Sequence, residues 1–319
     1  MKTWIWIALI VIGISVLGWG IYERYFASKN RVEDLQGDGQ GAIRAAQRNY
    51  NWLNNTGTFS LPNGNTGILG YFDTGNNLVK NKYKPLLAGS ADEFAASKRA
   101  ANRNIIQNLV SHYDKYVVSL CQQLNIPRAV VYAVLAIETG KYHVTLPPPK
   151  NITSAAGALG PAQIKPITAT DTVRVAIKKN LVSKDSAQAY LSKHIGAAKA
   201  AAVVKTTQLG DTIIGSELQN VQTALYVMVL KLAVLIDNYA GDSLDRLHLV
   251  LYCYNQGDYR LTSSKSPDYQ LNKTAPTLAQ FYTKAKASEG RSFLLKALGE
   301  HGTLDIAIND LGITDGLGA

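Results

Sequence analysis

The sequence predicts a mainly α-helical domain behind an apolar N-terminal segment. Three observations carry this expectation. Apolar residues recur three and four apart through most of the chain from about 105 to 297, strand-like alternation is sparse, and Trp4 to Tyr22 contains no charge. With 319 residues, 46% hydrophobic and 18% charged, the chain has an ordinary globular composition and room for one sizeable core plus appendages.

Taken in order, residues 1–25 are expected to form a membrane anchor. The run from Trp4 to Tyr22 is about as long as a bilayer is thick, with Trp4 and Trp6 at one end and Trp19 and Tyr22 at the other. A cleaved signal peptide is the alternative. Against it stand a charged region of only Met1-Lys2, no small-residue cleavage site and no nearby lipidation cysteine. Lys2 on one flank and Arg24, Lys29 and Arg31 on the other leave the orientation open.

Residues 26–105 read as a loop-rich arm and a leading helix. Asn54-Asn55-Thr56-Gly57, Pro62-Asn63-Gly64 and Thr74-Gly75-Asn76-Asn77 are turn signals, with Trp52, the only Trp outside the apolar N-terminal run, as a candidate anchor of the arm to the domain. Ser90 is a candidate N-cap before Asp92 and Glu93. Ile105 to Leu124 is a helix with Leu109, Tyr113, Val117, Leu120, Cys121 and Leu124 on one side, and Asn125-Ile126-Pro127 breaks it.

The next helix places Val131, Val134, Leu135 and Glu138 on one face, so a carboxyl continues an apolar stripe. Gly140 is its candidate C-cap. Burial and the negative end of the helix dipole both raise the affinity of such a carboxyl for its proton, which makes Glu138 a general-acid candidate. The plainer alternative is a helix-end Glu that turns into solvent or pairs with a lysine.

Ser154 to Ile164 is a turn of small residues, and Pro166 to Lys179 is helical. The stretch 181–215 is expected to form one or two exposed helices. Leu218 to Tyr239 is the longest periodic run and reads as a central core helix; a second membrane span is the rival, opposed by Lys231. From Ser243 a further helix carries Leu244, Leu247, Leu251, Tyr254 and Asn255 on one stripe until Gly257 stops it. Residues 276–297 add at least one helix, and 291–319 are expected to form a weakly helical C-terminal tail.

The net charge is +10, and residues 141–215 hold ten Lys or Arg against Asp171, Asp185 and Asp211. An anionic polymer suits that bias, as does a solvated lysine-rich face with no partner. Cys121 and Cys253 lie among apolar residues and read as buried thiols, a long-range disulfide being the alternative in an exported domain. No Cys/His spacing suggests a metal site, and no glycine-rich nucleotide fingerprint occurs.

Three segments carry a resemblance. Glu138-Thr139-Gly140, Ser154-Ala155-Ala156-Gly157-Ala158-Leu159-Gly160-Pro161-Ala162-Gln163-Ile164 and Cys253-Tyr254-Asn255-Gln256-Gly257 resemble, in order, the E-S, S-x-x-G-A-x-G-x-x-Q-I and A-Y-N-x-G motifs. Those are the motifs of the soluble lytic transglycosylase family, whose catalytic domain has the goose-type lysozyme fold. The resemblance covers about 106–290 and treats 181–215 as a basic insertion. It implies that Glu138 is the catalytic residue and that Thr139, Ser154, Gly160, Gln163, Tyr254, Asn255 and Tyr282 bind substrate. Peptidoglycan glycan strands would be the substrate and a lipid bilayer would hold residues 4–22; no cofactor, metal or specific nucleic acid is implied. Departures are Thr139 for Ser, Pro161-Ala162 for a bulkier pair, Cys253 for Ala, and the missing acid before Tyr282.

Three functions follow as expectations. One is a membrane-anchored transglycosylase, in a bacterial inner membrane facing the periplasm or in the internal membrane of a phage virion. Another is a lysozyme-type hydrolase, with Asp171 or Asp258 as the base-side carboxylate. The third is a structural virion or membrane protein that binds wall without cleaving it.

Overall fold

The computed structural model describes residues 85–145, 151–205, 209–240, 246–275 and 277–313. The expected anchor 1–25, Trp52, most of the arm and the last residues of the tail lie outside them. Over the described residues the protein is mainly helical, as its apolar periodicity predicts. Only isolated bridges, Thr153 with Leu159 and Leu159 with Ile164, pair extended chain there.

Helix α1, Arg99–Leu124, buries Ile106, Leu109, Tyr113, Val117, Leu120, Cys121 and Leu124, the stripe read from the sequence with an earlier start. Asn125 ends it with φ 52, a left-handed conformation that asparagine tolerates better than most residues. Helix α2, Arg128–Thr139, follows from Pro127 and is buried continuously from Ala129 to Ala136. A helix apolar on all sides needs neighbours on all sides. Here α1 covers one, and the C-terminal segments cover others.

Gly140 does not cap α2 in a left-handed conformation. Its φ is −52 and the chain runs on into a 3-10 turn, Gly140–Tyr142. Space is close there, since a Cβ would stand 3.1 Å from the Ile105 side chain, which would have to shift slightly. Ser90 is not an N-cap either: the 3-10 turn Asp92–Phe94 begins after Ala91, with no side chain capping it.

Helix α3, Pro166–Lys178, precedes the basic stretch. That stretch is not merely an exposed pair of helices. Helices α4, Lys184–Ile195, and α5, Ala197–Lys205, pack on each other and bury Ala187, Leu191, Ile195, Ala200, Val203 and Val204. The small alanines allow a close seam while the lysines stay outward. Buried Arg174 of α3 secures it, donating to the Val203 carbonyl at 3.1 Å and to Asp211 at 2.8 Å.

Helix α6, Val221–Leu235, is the centre of the core. The Asn220 side chain caps it by accepting from the Thr223 amide at 3.1 Å, and it continues into a π-helical turn, Ile236–Ala240. Val221–Ala240 is long and apolar enough to cross a membrane, but 72% of that window is buried inside the fold. It packs on α1, α3 and helix α7, Leu247–Gln256, and so serves as a core helix. Gly257, at φ +84, terminates α7 as its position predicted.

Helices α8, Leu278–Lys284, and α9, Ser288–Leu298, complete the helical set, with α9 packed on both α2 and α7. The segment after Gly299 is not a loose tail. Its turns Thr303–Asp305 and Ile306–Asp310 bury Leu304, Ile306, Ala307 and Ile308 against α2 and α1. Cys121 and Cys253 are both buried, with no disulfide between them.

Candidate active site

The three motif segments, far apart in sequence, meet at two consecutive carbonyls. The Thr139 hydroxyl at the end of α2 donates to the Pro161 carbonyl at 2.9 Å, and the Tyr254 hydroxyl of α7 donates to the Ala162 carbonyl at 2.9 Å. The small-residue turn is thereby clamped between the helix that carries Glu138 and the helix that carries Asn255. Buried hydroxyls are rarely left unpaired, so these bonds also set the spacing of the two helix ends.

The turn has its own internal logic. Ser154 closes it, its hydroxyl accepting from the Ala158 amide at 2.9 Å while its backbone N–H donates to the Ala158 carbonyl. Gly157 turns the chain at φ +77 with open space around it. Gly160 is different: at φ +68, a Cβ there would fall 1.8 Å from the Leu218 carbonyl oxygen. Its close approach is to the segment leading into α6. Gln163 adopts φ 47, uncommon for a residue with a side chain, and its amide nitrogen donates to the Gly160 carbonyl at 2.8 Å.

These contacts give four of the expected substrate-binding residues a structural task. Thr139 is fully buried and positions α2. Ser154, Gly160 and Gln163 shape the turn, with Ser154 and Gln163 half-buried. None of the contacts recorded for Gln163 is with Glu138. Buried His143, which the motifs did not point to, supports the same corner. Its Nδ1 lies 2.9 Å from the Thr139 carbonyl and its Nε2 2.8 Å from the Tyr113 hydroxyl. Because a carbonyl can only accept, Nδ1 carries the proton and Tyr113 donates to Nε2.

Glu138 is half-buried beside this clamp and has no hydrogen-bond partner among the described residues. Desolvation pushes its carboxyl up to about 7; Lys231 pulls the other way, Glu289 adds to the rise, and Lys296 lowers it slightly. The sequence-based expectation of a carboxyl that keeps its proton near neutral pH is thus matched by its surroundings. Half-buried and largely desolvated, the carboxyl is still reached by solvent, as a substrate oxygen would require.

Lys231 is the charge that most opposes that rise. It is the one charged residue of α6, and its Nζ donates to the Tyr254 carbonyl at 2.8 Å while lying 4.1 Å from the centre of the Tyr254 ring. Desolvation pulls its ammonium down to about 8, against the opposing influence of Glu138 and Cys253. The same apolar surroundings, with Glu138 adding to them, hold the buried Tyr254 phenol well above its usual range. In the sequence Lys231 appears only as an interruption of a hydrophobic run.

Glu289 is a further residue that the sequence reading passed over. It stands exposed in the first turn of α9, where it accepts a long 3.5 Å bond from Gln256 Nε2, whose amide also donates to Asn255 Oδ1 at 2.6 Å. Gly290 makes this proximity possible, since a Cβ there would stand 2.4 Å from the Tyr252 ring and 2.8 Å from Gln256 Cγ. Asp171 and Asp258 are not partners of Glu138. Asp171 accepts from the Gly210 amide at 2.9 Å, Asp258 from the Tyr239 hydroxyl, and neither acts on the Glu138 carboxyl. Tyr282 sits half-buried on α8 against the core, with no hydrogen bond to Glu138.

No family model, curated protein or solved structure matches the chain. A functional reading therefore stands on the motif residues and on the site they build.

Proposed function

We propose that this chain is a membrane-anchored lytic transglycosylase with a goose-type lysozyme-like catalytic domain, acting on peptidoglycan. The observation that carries the reading is Glu138, a half-buried carboxyl pushed up to about 7 beside the junction of the three motif segments. A protonated acid there donates its proton to the oxygen that links N-acetylmuramic acid to N-acetylglucosamine. The bond from C1 to that oxygen breaks, and the sugar's own N-acetyl group supports the electron-poor C1. The C6 hydroxyl then attacks C1 and returns its proton to the Glu138 carboxylate, leaving a 1,6-anhydro ring and a restored acid. No second carboxylate is required. By the motif resemblance Asn255, half-buried and next to Tyr254, orients the sugar or the acid.

A hydrolase is the second reading, and Glu289 favours it. A carboxylate whose charge acts on Glu138 from the end of α9 is a candidate base for water, the role first assigned to Asp171 or Asp258. Membrane anchoring through residues 4–22 suits local wall opening, by an envelope machine or by a phage delivering its genome through a wall.

Mass spectrometry of fragments released from purified peptidoglycan by the full-length chain, beside Glu138→Gln, tests the proposal. Anhydro-ended fragments from the parent alone are expected. Reducing ends would make the protein a hydrolase and direct attention to Glu289. A folded, wall-binding parent that releases nothing would leave the structural role.

A further inference from the structure

Lys231 is the strangest residue of the core helix. Apolar side chains on α6 from Ala224 to Leu230 and from Leu232 to Leu235 are buried, and a lysine in that setting is costly unless something uses its charge. Among the described residues it forms no salt bridge, and its one hydrogen bond there is to the Tyr254 carbonyl. Holding a single carbonyl does not require a cation, because a neutral donor would serve. The charge needs a counterpart, and the acid on which it acts is Glu138.

We propose that Lys231 is a positioning residue of the same site. Its ammonium fixes the Tyr254 backbone and ring beside Glu138, and it supplies the positive charge that balances the Glu138 carboxylate once the acid has given up its proton. The inference rests on the reading of Glu138 as the acid and deepens it. Between the two half-reactions Glu138 is an anion in desolvated surroundings, and an ammonium close to it lowers the cost of that state. Lys231 does this without a direct ion pair, so Glu138 stays able to hold its proton beforehand. A contact salt bridge would strip the proton and remove the acid.

The other groups that act on the pair are few. From α7 come the Cys253 thiol and the Tyr254 phenol, both pushed up by burial. From α9 come Glu289 and Lys296, whose opposite charges act on Glu138 in opposite directions. Among the described residues, α1 and α3 contribute no charge that acts on Glu138 or Lys231.

The test is the titration of the Glu138 side chain itself, followed by carbon NMR on the full-length chain and assigned by the signal missing from Glu138→Gln. Lys231→Met keeps the length of the side chain on an apolar helix and removes both the charge and the donor to the Tyr254 carbonyl, whereas Lys231→Arg keeps both. The Glu138 midpoint is expected to rise by roughly one pH unit in Lys231→Met and to return toward the parent value in Lys231→Arg. With peptidoglycan as substrate, the high-pH limb of the rate profile should move by the same amount and the plateau rate should fall about tenfold. An unmoved midpoint in Lys231→Met overturns the proposal, as does a rate profile that ignores a midpoint which has moved. The titration needs no substrate, so a parent chain that cleaves nothing would bring down the transglycosylase reading and leave the charge coupling standing.

Discussion

Thr139 donates a hydrogen bond to the carbonyl of Pro161, 22 positions further along the chain, and the next carbonyl, of Ala162, receives the hydroxyl of Tyr254. Two adjacent acceptors thus hold both helix ends that frame Glu138. The contact explains why a hydroxyl follows the acid in the sequence, and it gives Thr139 a structural task.

Replacing Thr139 with Val removes that donor while conserving shape. The buried Pro161 carbonyl then loses a partner, at about 1–3 kcal/mol. Thr139→Ser keeps the bond and should stay close to the parent. Chemical denaturation of the three proteins, with cleavage rates alongside, measures both effects.

Gly160 and Gly157 both have positive φ, yet they predict different outcomes. Gly160→Ala drives a methyl group into the Leu218 carbonyl and should cost at least about 3 kcal/mol or prevent folding. Gly157→Ala meets open space and carries only the left-handed backbone penalty, about 1 kcal/mol. Thermal unfolding midpoints separate the two.

The pH dependence follows from Glu138. As an acid with its carboxyl pushed up to about 7, it is competent below that value, and the rate should fall above it. Stability runs the same way. The folded state holds the proton more tightly than the unfolded chain, so stability is fully present near the ordinary carboxylate value of 4.5 and is lost as pH rises toward 7. Glu138→Gln should therefore abolish cleavage and, at pH 8, stabilise the fold by on the order of 1–2 kcal/mol. Unfolding curves at pH 5 and pH 8 test this; equal stability differences at the two pH values would contradict it.

Arg99 closes the fold at its other end. It donates to Asp305 at 2.5 Å and to Asp310 at 2.7 Å, and its Nη1 lies 2.9 Å from His301 Nδ1. Arg99→Ala leaves the mostly buried Asp305 without its cation and should cost about 2–3 kcal/mol. Arg99 holds the Asp305 carboxyl below its ordinary value, although burial opposes it. The stabilisation is accordingly present above about pH 4 and disappears as the pH falls further. Denaturation of parent and variant across pH 3 to 7 should show their curves converging at the acid end.

Much of the architecture was legible because helices announce themselves locally. The stripe from Leu109 to Leu124, the break at Asn125, the apolar run ending near Tyr239 and the stop at Gly257 all follow from spacing and backbone preference. Glu138 was legible for the same reason: it occupies a position that its own helix assigns to the interior.

The remainder depended on which surfaces meet. The sequence by itself determined the helices, their apolar faces and an inward-facing acid. Only the tertiary structure decided that Lys231, Glu289 and Lys296 are the charges that act on Glu138, that Asp171 and Asp258 do not, and that Gly160 makes room for the Leu218 carbonyl. Electrostatic partners and close backbone approaches join residues more than fifty positions apart in the chain, and no local periodicity encodes them. Gly140 shows the same limit: its place suggested a cap, and the chain instead runs on into a 3-10 turn, close to the side chain of Ile105 on a different helix.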